Sequence, residues 1–262
     1  MNRIESTLSS LKAQGKKALI TFVTAGDPDL ETTEKLVLTM LDNGADIVEI
    51  GVPFSDPIAE GKTIQAASLR ALSNGNTNLT TIFATVKSLR TKTDKPLILM
   101  MYVNTIFRFG TEKFFALCKE NGIDGVIVPD LPYEEREEIL PYAKANGIIS
   151  ISMVPPASHA RIERITADCE GFLYCVSSNG VTGTRSSFDT DFDSFFGEIK
   201  KSCKIPAMVG FGISSPEQAK KMSSYCDGVI VGSAIVKIVA EYGRESADKV
   251  GEFTSSLKKA IE

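Results

Sequence analysis

Acidic residues cluster in one short stretch of the sequence, "VEIGVPFSDPIAEGKTIQ" at residues 48–65. Glu49 lies within a Val/Ile run, and Asp56 and Glu60 follow in a segment that also carries two prolines. A carboxyl buried among apolar residues resists ionisation, so its pKa rises toward the range in which it both gives and takes a proton near neutral pH. Position alone leaves alternatives open: a structural salt bridge for Glu49, and a solvated loop acid for Asp56.

Few other side chains offer the same chemistry. The sequence contains 1 histidine, His159, in a loop or first-turn setting that favours a surface role. Its 5 cysteines are odd in number, widely spaced and form no CxxC pair, which argues against a disulfide framework or a zinc site. Acid/base work is therefore expected of carboxylates, Tyr or Lys, with no bound metal.

Charge and hydropathy narrow the class of ligand. The 262 residues include 29 basic and 33 acidic ones, for a net charge of -4, and neither sign forms a block that would attract nucleic acid or anionic lipid. The first residues contain no apolar signal segment, and the longest charge-free runs are too short to cross a bilayer. We expect a cytoplasmic protein that acts on a small molecule.

Eight short Val/Ile-rich runs recur along the chain, each nearly continuous in apolar character, as strands of a parallel sheet covered on both faces are. The runs lie at 18–23, 46–51, 96–102, 124–129, 148–154, 171–177, 206–212 and 227–233. Amphipathic stretches with helix-start signals, such as Ser215 before Pro216, separate them. A repeat of about 30 residues predicts eight βα units, hence an α/β fold: a single (β/α)8 TIM barrel over residues 1–262 with an extra N-terminal helix.

Two features of this pattern leave alternatives open. An open doubly wound sheet is less favoured, because no GxGxxG follows the first strand. The string "DGVIV" occurs at 124–128 and again at 227–231. The repeat is either a remnant of half-barrel duplication or the result of convergence, in which two buried parallel strands use the same residue types.

In a barrel, chemistry lies at the carboxyl ends of the strands, where Glu49 falls. At the last two strands, Gly210, Gly212 and Gly232 lie at strand ends beside helix starts and let backbone N–H groups approach an anion. The helix beginning at Ser233 adds its positive end, which predicts a phosphate site. The polar segment 177–191 is typical either of a mobile lid or of a surface loop. Thr182 in this segment could reach the same phosphate.

The sequence resembles the tryptophan synthase α subunit over nearly its whole length. The resemblance is carried in order by "FVTAGDPD" (22–29), "VEIGVPFSDPIAEGKTIQ" (48–65), "MMYVN" (100–104), "GVIVPDLP" (125–132), "GVTG" (180–183), "GFGIS" (210–214) and "VGSAIV" (231–236). This order makes another phosphosugar barrel, such as an isomerase, a weaker alternative.

The resemblance implies a lyase of tryptophan biosynthesis that cleaves indole-3-glycerol phosphate to indole and glyceraldehyde 3-phosphate without metal or organic cofactor. Glu49 would protonate the indole ring carbon and take the glycerol hydroxyl proton, and Glu60 would hold the indole N–H. The implied substrate-binding residues are Phe22, Met100, Tyr102, Ile127 and Tyr174 around the indole, and Thr182, Gly183, Phe211, Gly212, Gly232 and Ser233 around the phosphate.

A partner is implied as well. The family's α subunit docks on a β subunit, which joins indole with serine on pyridoxal phosphate, in an α2β2 tetramer. The segments 53–61 and 177–191 would lie near that contact.

Position 60 departs from the family pattern. The family carries Asp-Gly-Pro there, whereas this chain has Glu60-Gly61-Lys62, and one extra methylene moves a carboxylate by about 1.5 Å. A displacement of about 1 Å is enough to cost roughly 100-fold in rate. Pro129, where a small residue is commoner, would narrow the pocket. The alternative hypothesis is a catalytically weakened α chain that acts mainly as an allosteric activator of the β subunit.

Overall fold

A computed structural model describes residues 1–177, 191–210 and 212–262, without the side chains of Ala157, His159 and Ala160. Within these ranges there are nine strands: β1 Ala18–Thr24, β2 Ile47–Gly51, β3 Leu97–Met100, β4 Gly125–Ile127, β5 Ile149–Ser150, β6 Ser152–Val154, β7 Leu173–Val176, β8 Ala207–Gly210 and β9 Gly228–Val231. Every pair is parallel, in the order β5-β4-β3-β2-β1-β9-β8-β7-β6.

The two outermost strands of this order are halves of one predicted run, 148–154. The run breaks at Ile151, whose N–H still donates to the carbonyl oxygen of Val126 at 2.9 Å. Its first half pairs with β4 and its second half with β7. The chain therefore links the two edges of the sheet into a ring, and the predicted (β/α)8 barrel is confirmed.

The same described ranges contain twelve α-helices: α1 Arg3–Ala13, α2 Leu30–Asp42, α3 Lys62–Ser73, α4 Leu79–Arg90, α5 Val103–Phe109, α6 Thr111–Asn121, α7 Leu140–Asn146, α8 Ile162–Thr166, α9 Phe192–Ser202, α10 Pro216–Ser223, α11 Ser233–Tyr242 and α12 Ala247–Ile261. Short 3-10 helices span Tyr133–Glu138, Pro156–Arg161 and Gly243–Glu245. Ser215 caps α10 as predicted, accepting the N–H of Gln218. None of the helices described combines the length and apolar character of a membrane span.

Side chains of the strands alternate between two cores. Leu19 and Val48 face outward into the layer between strands and helices, whereas Ile20 and Ile47 face the barrel interior. Helix α1, the predicted extra helix, inserts Ile4 into the same inner cluster. It thereby closes the N-terminal end of the ring and leaves the other end for a site.

Three aspartates, each just before a strand, fasten that N-terminal end. Asp46, Asp124 and Asp227 accept the backbone N–H of Leu19, Leu97 and Ala207 on the neighbouring strand, at 2.8, 2.9 and 2.9 Å. The repeated "DGVIV" string thus has a structural role, since its two aspartates do the same work at two places in the ring. This favours convergence of the two strings on one packing solution.

Candidate active site

A cavity opens at the carboxyl ends of the strands. The empty space in it, counted up to its open mouth, is about 580 Å³. Its lining is mostly apolar with two carboxyl groups: Phe22, Glu49, Ala59, Glu60, Ile64, Met100, Pro129, Tyr174, Gly212, Ile213, Ile230, Gly232 and Ser233.

Glu49 lies in the wall of this cavity. Strand alternation turns its side chain inward, between the register positions of Phe22 on β1 and Ile98 on β3. It is 1% exposed, and within the described part of the chain its Oε1 atom has no hydrogen-bond partner and its carboxyl no ion pair. Burial without a compensating cation raises the pKa of Glu49 to about 8. The carboxyl is therefore mostly protonated at pH 7, and the salt bridge considered from sequence is not seen among these residues.

Two glycines at strand ends make room for the aromatic walls. A Cβ at Gly51 would lie 2.4 Å from the ring of Phe22, and one at Gly210 would lie 2.5 Å from the Tyr174 hydroxyl oxygen. No side chain fits at either place without moving an aromatic ring. Gly210, expected from sequence to approach an anion, thus has a packing reason of its own.

Glu60 reaches the cavity from the segment between β2 and α3. Desolvation raises the pKa of the half-buried Glu60 to about 7, opposed by a hydrogen bond from the Tyr102 hydroxyl and reinforced by the nearby charge of Asp130. The Tyr102 oxygen also accepts the N–H of Ala59 at 3.0 Å, and its ring stacks on Phe54 at 4.8 Å between centroids. Tyr102 therefore holds this segment in place from outside the cavity lining.

Asp56, the third acid of the motif, does not join the other two. Its side chain is exposed and hydrogen-bonds to the Ser55 hydroxyl beside it. The solvated-acid interpretation is the one that this geometry fits. Two carboxyl groups, not three, meet at the site.

The opposite wall is built by the last strands. Helix α11 starts at Ser233 with Gly232 as its N-cap, and both residues line the cavity. The Val236 N–H bonds to the Gly232 carbonyl oxygen at 3.0 Å, so the amides of the first turn before it have no partner within the helix. Gly212 lies beside them with a φ of 91°, a left-handed conformation that favours glycine. Free amides at a helix start are a feature that favours an anion.

The remaining candidates are placed as follows. Ile127 is fully buried in the inner core and does not line the cavity. Thr182, Gly183 and Phe211 lie outside the described residues, as does most of segment 177–191.

Sequence reasoning missed several apolar lining residues: Ala59, Ile64, Ile213 and Ile230. Ile64 carries a usable signal, because it lies in the first turn of the helix that follows the acidic segment. No cluster of metal-ligating side chains occurs among the residues that could be searched, 1–177, 191–210 and 212–262.

Comparison with known proteins identifies the family of this chain. The family model described as tryptophan synthase alpha chain matches residues 8–262. A tryptophan synthase alpha chain from Thermoanaerobacter sp. (strain X514) is 48% identical over 263 residues, covering 100% of both chains.

Solved structures of the same family are similar to this chain over nearly its whole length. Tryptophan synthase subunit alpha from Legionella pneumophila str. Paris superposes with a TM-score of 0.89 at 35% identity, covering 100% of this chain and 98% of that one. A chain of the tryptophan synthase complex from Pyrococcus furiosus gives 0.84 at 37%, covering 92% and 98%. The chain therefore belongs to the tryptophan synthase alpha chain family.

Proposed function

We propose that this chain, working as one domain over residues 1–262, cleaves indole-3-glycerol phosphate to indole and glyceraldehyde 3-phosphate, with Glu49 as the acid/base. One observation carries the assignment: a carboxyl that is 1% exposed lies in a mostly apolar cavity without a neighbouring cation among the described residues. Such a group is protonated at rest and becomes a strong base once it has lost its proton.

Glu49 acts twice in the proposed reaction. As a neutral acid it donates its proton to the indole ring carbon that bears the glycerol chain. The resulting carboxylate takes the proton of the hydroxyl on the adjacent chain carbon. The carbon–carbon bond then breaks, its electron pair returns to the indole ring, and the hydroxyl carbon becomes the aldehyde carbonyl. Glu49 ends protonated, as it began.

Glu60 stabilises the charge that develops between these steps. Protonation of the ring carbon makes the indole N–H more acidic and positively charged, and a carboxylate accepting that N–H lowers the barrier. A pKa of about 7 leaves a large fraction of Glu60 ionised at neutral pH. Phe22, Met100 and Tyr174 line the cavity together with the two acids and suit the flat indole ring, and Ile127 lies in the inner core.

The phosphate binds at the end of α11. Gly212, Gly232 and Ser233 line this wall, and the helix N-terminus favours a dianion. Thr182, Gly183 and Phe211, which the resemblance also implies, complete the proposed site. No residue of the proposed mechanism requires a metal or an organic cofactor.

The β subunit of tryptophan synthase is the proposed partner, in an α2β2 tetramer. Apolar side chains that would need cover lie on this side of the barrel: Ile58, in the acidic segment, is 74% exposed, and Phe107, on α5, is 45% exposed. The cytoplasm is the proposed location, since all five cysteines are free thiols, as a reducing compartment favours.

Indole release by the purified chain, measured with and without the β subunit, tests the function. We expect turnover in the wild type, and a loss of up to about 100-fold in Glu60→Asp, because the shorter side chain withdraws the carboxyl by about 1.5 Å. Asp56→Asn, an exposed acid of the same segment, is the matched control and should retain wild-type turnover. No wild-type turnover in either condition, with activity gained in Glu60→Asp, would instead support the weakened-chain alternative.

A further inference from the structure

A second cavity borders the substrate cavity. The empty space in it, counted up to its open mouth, is about 1250 Å³. Among the described residues, Pro129 is the one that lines both cavities. Where the two cavities meet, Pro129 therefore separates the space proposed for the substrate from a larger space that the proposed reaction does not use.

The place of Pro129 in the barrel determines which end of the substrate it faces. Pro129 lies two residues beyond Ile127, the last residue of β4. When the broken run of β5 and β6 counts as one strand, β4 and β9 are four positions apart in the ring and so lie on opposite sides of it. Helix α11, with the proposed phosphate site at its start, follows β9. A substrate that reaches across the barrel from this phosphate site directs its indole ring toward Pro129.

The backbone holds Pro129 in a fixed position. The Leu131 N–H bonds to the Val128 carbonyl oxygen at 3.2 Å, which closes a turn with Pro129 in its second position, where the restricted φ of proline is favoured. The next residue, Asp130, accepts the N–H of Val103, the first residue of α5, at 2.9 Å. Because the turn is tied on both sides, extra atoms on a ligand would meet a rigid ring.

The second cavity is apolar where it adjoins the inner core. Ile151, a member of the inner cluster, and Met153, which packs against that cluster, both line it. The two arginines of its lining, Arg136 and Arg161, are already paired with acidic side chains. The space therefore suits a small uncharged apolar group better than an anionic one.

We propose that Pro129 determines the substrate range of this enzyme by excluding substituents at carbons 5 and 6 of the indole ring, and that the second cavity accepts them once the proline ring is removed. The inference rests on the proposed function, since it uses the same substrate position. Carbons 5 and 6 lie on the side of the ring away from carbon 3, which bears the glycerol phosphate. A methyl group there points away from α11 and toward Pro129.

Three substrates measure the exclusion in the full-length protein: indole-3-glycerol phosphate and its 5-methyl and 6-methyl derivatives. We expect kcat/KM of the wild type to be roughly 10–200-fold lower for at least one derivative than for the parent compound, as for one methyl group in other apolar pockets. In Pro129→Ala this ratio should shrink by about tenfold or more. Calorimetry in the Glu49→Gln background, where turnover is suppressed, measures binding of the same three compounds.

Two further variants separate the bulk of Pro129 from its surroundings. Pro129→Val keeps the bulk of the wall without the closed ring and should still discriminate against the derivatives. Leu131→Ala is the matched control, because it lies in the same turn and lines the second cavity but not the substrate cavity. It should discriminate as the wild type does. Thermal melts show that each variant is folded.

The outcomes distinguish this inference from the proposed function. Equal kcat/KM for all three compounds in the wild type would overturn the inference alone. So would a loss of discrimination in Pro129→Val as large as that in Pro129→Ala, since the turn and not the bulk would then be the cause. Selective binding of the parent compound without turnover of any compound would contradict the proposed function and support the role of Pro129. No binding of the parent compound would overturn both.

Discussion

The two ends of the barrel use acidic residues in opposite ways. At the N-terminal end, Asp46 and Asp124 accept backbone amides and also pair with cations: Asp46 with Lys258 at 2.8 Å, and Asp124 with Arg90 at 2.6 Å. At the C-terminal end, Glu49 is as deeply buried, yet it has no such cation among the described residues. The surroundings of a buried carboxyl, rather than its burial, decide whether it fastens the fold or stays available for proton transfer.

This difference has an energetic basis. A carboxylate out of water costs several kcal/mol unless cations and hydrogen bonds replace the water. The barrel supplies those partners where strands begin, and the partners tie neighbouring strands together. Where strands end, no cation of the described residues pairs with Glu49, and the cost appears instead as a raised pKa. At the C-terminal end of the barrel, the fold is less stable than a paired carboxyl would make it, and Glu49 remains available for proton transfer.

The largest expected effect is on turnover when the reactive end is altered. Glu49→Gln keeps the shape of the side chain but removes its titration, and we expect turnover to fall by about 10²–10⁴-fold, the usual contribution of a general acid/base. Indole release measured beside a thermal melt checks this, since the melt shows that the variant is folded. Turnover within tenfold of the wild type would show that another group moves the protons.

The same substitution carries a pH signature. The pKa of Glu49 in the folded chain is about 8, against the ordinary glutamate value of 4.5, so between these two pH values the folded state binds one proton more than the unfolded state. The free energy of unfolding of the wild type therefore falls as pH rises from about 4.5 to about 8. In Glu49→Gln this part of the decline should be absent, which urea melts across that pH range measure.

The next largest effect is expected on stability, at the N-terminal end of the barrel. Asp124→Ala removes the partner of Arg90, whose side chain is only 11% exposed, and leaves the Leu97 amide without its acceptor. We expect a loss of about 3–5 kcal/mol in the free energy of unfolding, as for other broken buried pairs, with turnover per folded molecule unchanged. Asp94→Ala, an exposed acid nearby, should change the free energy by no more than about 0.5 kcal/mol. Equal effects of the two substitutions in urea melts would contradict the claim that buried, paired aspartates stabilise the N-terminal end of the barrel.

A smaller effect is expected at the residue that holds the acidic segment. Tyr102→Phe keeps the ring that stacks on Phe54 but removes the hydroxyl oxygen that accepts the Ala59 amide, next to Glu60. A lost hydrogen bond of this kind costs about 0.5–1.5 kcal/mol, so we expect turnover to fall roughly 2–10-fold. Steady-state indole release measures it. An unchanged rate would mean that Glu60 is positioned without Tyr102.

The smallest effect is expected at an exposed ion pair, which contrasts with the buried pair of Asp124 and Arg90. Arg244 pairs with Asp29 at 2.6 Å, but its side chain is 77% exposed. Arg244→Ala should therefore lower the free energy of unfolding by less than about 1 kcal/mol. A urea melt at low and high salt checks this, and a loss comparable to that in Asp124→Ala would show that exposure does not separate the two kinds of pair.

Much of this architecture can be predicted from the sequence. All eight apolar runs contain strands, because parallel strands covered on both faces have a continuous apolar pattern. The alternation that turns Glu49 inward follows from the same register. Even the cap at Ser215 is readable from local residue types.

Other features depend on contacts between distant residues, which spacing does not encode. The separation of Asp56 from Glu60 depends on Tyr102, 42 positions beyond Glu60 in the sequence, binding the Ala59 amide. The lack of an ion pair to Glu49 among the described residues likewise depends on which side chains the fold brings near it. The bridging of the two sheet edges through a break at Ile151 is set by the closure of the whole ring.

The protonation state of Glu49 in the resting protein tests the central claim most directly. Infrared difference spectra of wild type against Glu49→Gln, recorded across pH, isolate the carbonyl band of this one protonated carboxyl. The account predicts that the band is present at pH 6 and titrates away near pH 8. A band already absent at pH 6, with a transition near the ordinary glutamate value of 4.5, would contradict it.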